Sequence, residues 1–191
     1  RFEGPQNSLF NQASVNVSQI QYEDNPDKTF LSATALSTII HPNNPLAPSI
    51  HIHVSWTELR SGKSYWRLMA DLNPAIVRES DTAEFNNTLK SVSGEYYEQA
   101  TKQGDDYFYI PALQKHRGVS HFYLEAFNHQ TRDGNEFAQQ FVHAVIDSYI
   151  KIFGNQLNSA VCATETQKSV QLDYHTLYFY QVLTLDKGTT A

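Results

Sequence analysis

Three histidines close together in sequence carry the first sign of chemistry. His51 and His53 sit in S-I-H-I-H-V-S-W-T-E (residues 49–58), and His41 precedes them across P-N-N-P-L-A-P. Imidazole is the side chain suited to proton transfer or metal binding near neutral pH. Ile50, Ile52, Val54 and Trp56 alternate with His51, His53, Ser55 and Thr57, the period-two pattern of a strand with one apolar and one polar face. Both imidazoles therefore point the same way, with their bases roughly 6–7 Å apart. Such a pair is compatible with a shared metal, with proton transfer, or with a solvated polar strand face. A catalytic metal usually takes three protein ligands and a structural one four.

Two further features suit a ligand. Asp71 lies near the end of a strand-like run in A-D-L-N-P, where a carboxylate can face a cleft or cap the following turn. Lys115, His116, Arg117 and Gly118 form the one concentrated cationic patch. Guanidinium binds carboxylate directionally, although short basic clusters also occur as solvated helix ends. Nucleophile-elbow, phosphate-loop and dinucleotide-binding glycine motifs do not occur, which removes the hydrolase, kinase and Rossmann readings of their signatures.

The elements that must position these residues are mostly strands. Val15, Val17 and Ile20 mark a first strand, Phe30 to Ile40 a second, Ser49 to Glu58 a third and Ser64 to Leu72 a fourth, and the short turns between them favour an antiparallel meander. Asp81 and Glu84 read as a capping box for a helix running through Phe85, Leu89, Val92 and Tyr96 toward Lys102. Asp133 and Glu136 repeat the device ahead of Phe137, Phe141, Val145, Tyr149 and Ile152, with Gly154 as a C-terminal stop. A short helix from Asp105 to Leu113, a strand from Ser120 to Phe127 and a final strand from Tyr174 to Leu185 complete the reading. The expected fold class is α+β, a large, mainly antiparallel sheet with helices on both faces.

The 191 residues, 40% hydrophobic and 13% aromatic, suffice for one core, so residues 1–191 are expected to form a single domain. The net charge of −6 without a basic run gives no electrostatic footprint for nucleic acid. Apolar runs such as Leu31 to Ile40 fall well short of the roughly 20 residues of a membrane helix, so a cytoplasmic protein without a membrane partner is expected. The single cysteine, Cys162, excludes an intrachain disulfide. A start at Arg1 without methionine, and an end at Ala191, lead to the expectation of a domain incomplete at both termini.

The order of motifs resembles the oxygen-dependent coproporphyrinogen III oxidase family. V-N-V-S from Val15, A-L-S-T-I-I-H-P-N-N-P-L-A-P-S-I-H from Ala35 to His51, D-L-N-P from Asp71, D-D-Y-F from Asp105 and H-R-G from His116 follow one another in that family's order. The resemblance implies a large antiparallel sheet with helices on both faces, a homodimer, and oxidative decarboxylation of two propionates of coproporphyrinogen III to vinyl groups in haem and porphyrin biosynthesis. Molecular oxygen is the implied co-substrate. No flavin, haem or nicotinamide cofactor is expected, and a divalent metal is an unsettled addition. By resemblance, Ser37 contacts substrate, His51 is the proton donor, Asp71 engages pyrrole N–H groups and Arg117 meets a substrate carboxylate. His41 and His51 match two histidines of the family's proposed metal ligands, with His53 as an added donor.

The chain also departs from the pattern. The family's asparagine and arginine after the second histidine are here His53 and Ser55, its glycine run before the aspartate is Arg67, Leu68 and Met69, and two further histidines are Asn86 and Ala112. Later glycines become Ser120 and His121. Two alternatives therefore stand beside an active oxidase. One is a non-catalytic relative binding a tetrapyrrole or other carboxylated ligand, and the other an enzyme of changed substrate range with metal at His41, His51 and His53.

Overall fold

The computed structural model describes residues 2–3, 9–22, 27–127, 133–158 and 163–184. Cys162 and Leu185 lie outside the described residues. The strands β1 (Phe2–Glu3), β2 (Phe10–Gln21), β3 (Phe30–Pro42), β4 (Ser49–Leu59), β5 (Ser64–Asn73) and β8 (Ser120–Phe127) form one six-stranded sheet in the order β1-β2-β3-β4-β5-β8. Every pairing in it is antiparallel. The short strands β6 (Tyr109–Ile110) and β7 (Lys115–His116) make a separate hairpin. The four expected central strands and the strand at Ser120 are thus present, each within two residues of its expected bounds except the first, which starts at Phe10. With the helices described below, the fold is the expected α+β arrangement.

Alternation decides what each face of the sheet does. Ile50, Ile52, Val54, Leu68, Ala70, Leu72, Phe122 and Leu124 form a buried apolar layer with Phe85 and Leu89 of α1 (Glu79–Ser93) and Phe137, Phe141, Val145 and Ile152 of α3 (Gly134–Asn158). Burying each such side chain is worth roughly 1.5–3 kcal/mol, so this face anchors the sheet. The histidines point to the other face. There His51, Ser55 and Thr57 are also buried, so that β4 is covered on both sides.

Two helices serve the polar face and its edge. α2 (Tyr97–Phe108) runs along the edge strand β8, with Gly104 so close that an added Cβ would meet the His121 carbonyl carbon at 2.8 Å. Gln103 Oε1 accepts the Glu125 backbone N–H at 3.1 Å, so the edge is both covered and satisfied. α4 (Glu165–Thr184) sends Gln171, Tyr174, His175 and Tyr178 onto the ends of β3 and β5 and onto Arg117. No helix among the described residues is long and apolar enough to cross a membrane.

Five sequence expectations need correction. The strand expected from Tyr174 is the second half of α4. Its Leu and Phe alternation hid Gln171, Tyr174, His175 and Tyr178, whose 3- and 4-residue spacing is helical. The helix expected to reach Lys102 breaks at Gly94, where φ of 56° ends α1, and a 3-10 turn at Gly94–Tyr96 leads into α2. Asp81 is not an N-cap: α1 starts after Arg78 without a side-chain cap, and Asp81 accepts from Gln156 Nε2 at 3.2 Å, tying α1 to α3. The helix expected from Asp105 to Leu113 stops at Phe108. Pro111, which lacks an N–H and holds Ile110 extended, leaves only a 3-10 turn at Pro111–Leu113. Finally, α3 runs through Gly154 to Asn158, held by buried Phe153 and Gln156 on either side. At the start of α3 Asp133 caps as expected, its Oδ1 accepting the Asn135 N–H at 2.8 Å, whereas Glu136 accepts from Gln140 Nε2 at 2.9 Å instead of closing the box.

Candidate functional site

Antiparallel register places the candidate residues in rows across the polar face, because directly opposed residues share a face. One row runs Ser14, Ile39, His51, Asp71, His121. The next runs Asn16, Ser37, His53, Met69, Tyr123, and a third holds Ser18, Ala35, Ser55 and Arg67. Ser37, His51, His53 and Asp71, widely separated in sequence, are thereby neighbours.

Asp71 is the centre of charge. It is fully buried, with Oδ2 3.5 Å from Arg117 Nε and Oδ1 3.4 Å from His51 Nδ1. Asn73 Nδ2 donates to Asp71 Oδ2 at 2.5 Å. Burial opposes the charge on Asp71, but Arg117 foremost, then His51 and Asn73, hold its carboxyl below the usual carboxylate range. Arg117 is itself 4% exposed, with its guanidinium 4.7 Å from the Phe108 ring and 5.6 Å from that of Tyr178. The expected cationic patch is therefore divided: Lys115 and His116 are exposed, whereas Arg117 is drawn inward to Asp71.

That inward turn has a backbone cause. Gly118 adopts φ of 73°, and a Cβ there would meet Leu72 O at 2.7 Å and Asn73 Oδ1 at 2.8 Å. Arg117 N–H donates to Phe108 O at 3.0 Å and Val119 N–H to Leu72 O at 2.9 Å. Only glycine permits this left-handed, close approach.

The histidines occupy distinct environments. His53 Nδ1 lies 2.8 Å from Ser37 Oγ, and His41 Nδ1 lies 3.0 Å from Ser49 Oγ. Burial, then His51 and Arg67, lower the His53 pKa to about 4. Burial, then His175 and His51, lower that of His41 to about 4. Both rings are neutral at pH 7. His41 packs edge-on against His175 and Tyr178 at 5.0 and 5.6 Å. His41, His51 and His53 thus share a face, but they do not converge as a three-donor group. Among the described residues, Asp105, His116 and His121 are the one trio of histidine and carboxylate donors within 4.8 Å of one another.

Several site residues were not singled out from sequence. Tyr174 donates to Asn73 Oδ1 at 3.1 Å, and with His175 and Tyr178 it covers the Asp71 end of the face. Thr164 and Gln167, which bond reciprocally at 2.9 and 3.2 Å, are a capping box that marks the start of α4. Arg67 reaches Glu125 at 2.5 Å, and its buried Nε has no hydrogen-bond partner. A separate apolar groove of about 470 Å³ lies on the opposite face, between Val17, Leu36 and Val54 of the sheet and Ala138 and Val142 of α3. It presents none of the residues around Asp71.

The arrangement supplies an ionised buried carboxylate, neutral imidazoles, a hydroxyl and a part-exposed guanidinium along one face. Comparison with known proteins places the chain in a family. The profile of the family described as Coproporphyrinogen III oxidase matches residues 5–191. Oxygen-dependent coproporphyrinogen-III oxidases from Dictyostelium discoideum, Drosophila melanogaster and Rickettsia bellii are similar at 29%, 30% and 29% identity. The alignments cover 88%, 82% and 82% of this chain and 52%, 42% and 57% of those proteins. The chain therefore spans about half the length of the curated relatives it matches, and it belongs to the coproporphyrinogen III oxidase family.

Proposed function

We propose that the protein to which this chain belongs is an oxygen-dependent coproporphyrinogen III oxidase in haem biosynthesis. Per propionate, R–CH2–CH2–COOH and O2 give R–CH=CH2, CO2 and H2O2. The C–C bond to the carboxyl breaks, its electron pair forms the vinyl double bond, and a β-hydrogen leaves with two electrons that reduce dioxygen. The electron-rich tetrapyrrole, with oxygen as co-substrate, supplies the redox chemistry. The observation that carries this reading is the ionised Asp71 between His51 and Arg117, since a buried carboxylate is the natural acceptor for pyrrole N–H donors.

In this reading His51 transfers a proton, Ser37 contacts substrate and Arg117 holds Asp71 ionised. The role expected for Arg117 at a substrate propionate shifts in part to Arg67, whose unpartnered Nε is a donor that a carboxylate would satisfy. His41, His51 and His53 are a weaker candidate for a metal than for proton transfer, because they do not converge as a three-donor group among the described residues. A homodimer is part of the proposal, supported by the exposed apolar Val15 and Val17 on β2. A cytoplasmic location is too, beside relatives from Rattus norvegicus and Hordeum vulgare named as mitochondrial and chloroplastic.

A specific observation favours a second reading, a tetrapyrrole or carboxylate binder without turnover. Met69, at a family glycine position, is buried with Phe108 and Tyr123 and fills part of the polar face. Asp71→Ala in the full-length protein separates the two. Loss of turnover in air with bound tetrapyrrole retained supports the oxidase, whereas absent turnover in the unsubstituted protein together with an affinity change in Asp71→Ala supports the binder.

A further inference from the structure

At the β8 edge of the sheet, beyond Arg117, lies a cluster that the reading above does not use. His121 Nε2 lies 2.6 Å from Arg117 O and His121 Nδ1 lies 2.9 Å from Asp105 Oδ1. A carbonyl oxygen only accepts, so Nε2 carries the proton. A neutral imidazole has one N–H, and Nδ1 then turns a lone pair toward a carboxylate oxygen. Two acceptors at 2.9 Å require a cation between or beside them, either a second proton or a metal ion.

A third donor makes the metal the fuller answer. His116 stacks on His121 with ring centroids 5.0 Å apart and planes at 27°, and the donor atoms of Asp105, His116 and His121 all lie within 4.8 Å. An imidazole that gives its other N–H to a backbone carbonyl is oriented as metal-bound histidines are. The support is rigid on the inner side. Gly104 lies close against the His121 backbone, next to Asp105 in sequence, while Phe108 packs 5.4 Å from the His121 ring. Tetrahedral bonds of about 2.1 Å set donor pairs about 3.4 Å apart, so ion binding draws the trio in from its 4.8 Å spread, with Asp105 and His116 the exposed donors.

The geometry points to a divalent transition-metal site formed by Asp105, His116 and His121, with water completing the coordination. Two imidazoles and one carboxylate suit first-row ions such as Zn²⁺ rather than Ca²⁺ or Mg²⁺. His121 adjoins the Asp71–Arg117 pair through the β5–β8 register and the Arg117 carbonyl, but no step of the proposed oxidase chemistry is assigned to this site.

The test is a calorimetric titration of the chelator-stripped full-length protein with ZnCl2 at pH 7.5. It is repeated for His116→Ala and Asp105→Asn, both at exposed positions, with circular dichroism to verify folding. Nitrogen NMR of the histidine rings locates the metal. The expected result is a Zn²⁺ site weakened at least about 10-fold by each substitution, with a Zn²⁺-induced shift of His121 Nδ1 while Nε2 stays protonated. Absence of Zn²⁺ binding, binding insensitive to both substitutions, or an unshifted His121 Nδ1 overturns the proposal and leaves an imidazolium–carboxylate pair only.

Discussion

Ser55 on β4 and Arg67 on β5 are direct cross-strand partners on the polar face. The resemblance puts an arginine at the position of Ser55, so this chain carries its cation one strand away, beside the same surface. Charge-assisted hydrogen bonds are worth about 1.5–3 kcal/mol, so Arg67→Gln is expected to weaken binding of a propionate-bearing tetrapyrrole by about 10- to 100-fold. The exchange Ser55→Arg with Arg67→Ser is expected to recover much of that loss. Fluorescence titration of both variants with coproporphyrin checks it, and unchanged affinity in Arg67→Gln would remove Arg67 from the ligand surface.

Asp71 and Arg117 form a pair with both side chains out of water. Breaking such a pair leaves one uncompensated buried charge and costs about 3–5 kcal/mol. Arg117→Met should lower urea stability by that order, and the double variant Arg117→Met with Asp71→Leu should regain most of it. Equal destabilisation by the single and double variants would show that the two charges are not coupled.

His41 and His53 give the fold a pH dependence. Their folded pKa values of about 4 lie below the unfolded value of about 6.5. Between those values the unfolded chain binds protons that the folded chain refuses, so stability is full above about pH 6.5 and falls as pH drops toward 4. Each contributes at most about 1.4 kcal/mol per pH unit, and His53 less because it is part-exposed. Urea midpoints from pH 7 to 4.5 should fall, and His41→Gln with His53→Gln should flatten the decline. An equally steep decline in that variant would assign the effect to other groups.

The sheet was legible in the sequence because period-two alternation at Ile50 to Thr57 and Tyr65 to Leu72 is a local signal. The proximity of His51 to Asp71 is a matter of register, which alternation alone does not set. The inward turn of Arg117 was hidden because it depends on Gly118 packing against Leu72 and Asn73. α4 was misread although its start is written in T-E-T-Q from Thr164, since aromatic and β-branched residues from Tyr174 onward favour a strand locally.

That N-terminal box yields its own prediction. Loss of an N-cap hydroxyl costs about 0.5–2 kcal/mol, so Thr164→Ala is expected to fray α4 and uncover Tyr174 and His175. Hydrogen exchange should quicken in residues 165–178 with little change in β4 and β5. Uniformly unchanged exchange would mean that the box does not hold α4.

The most direct measurement is incubation of the full-length protein with coproporphyrinogen III in air, followed by chromatographic identification of the tetrapyrroles. Conversion to a product with two vinyl groups in place of two propionates is expected in air and not under nitrogen. Recovery of unchanged coproporphyrinogen III in air, or conversion that proceeds equally without oxygen, would contradict it.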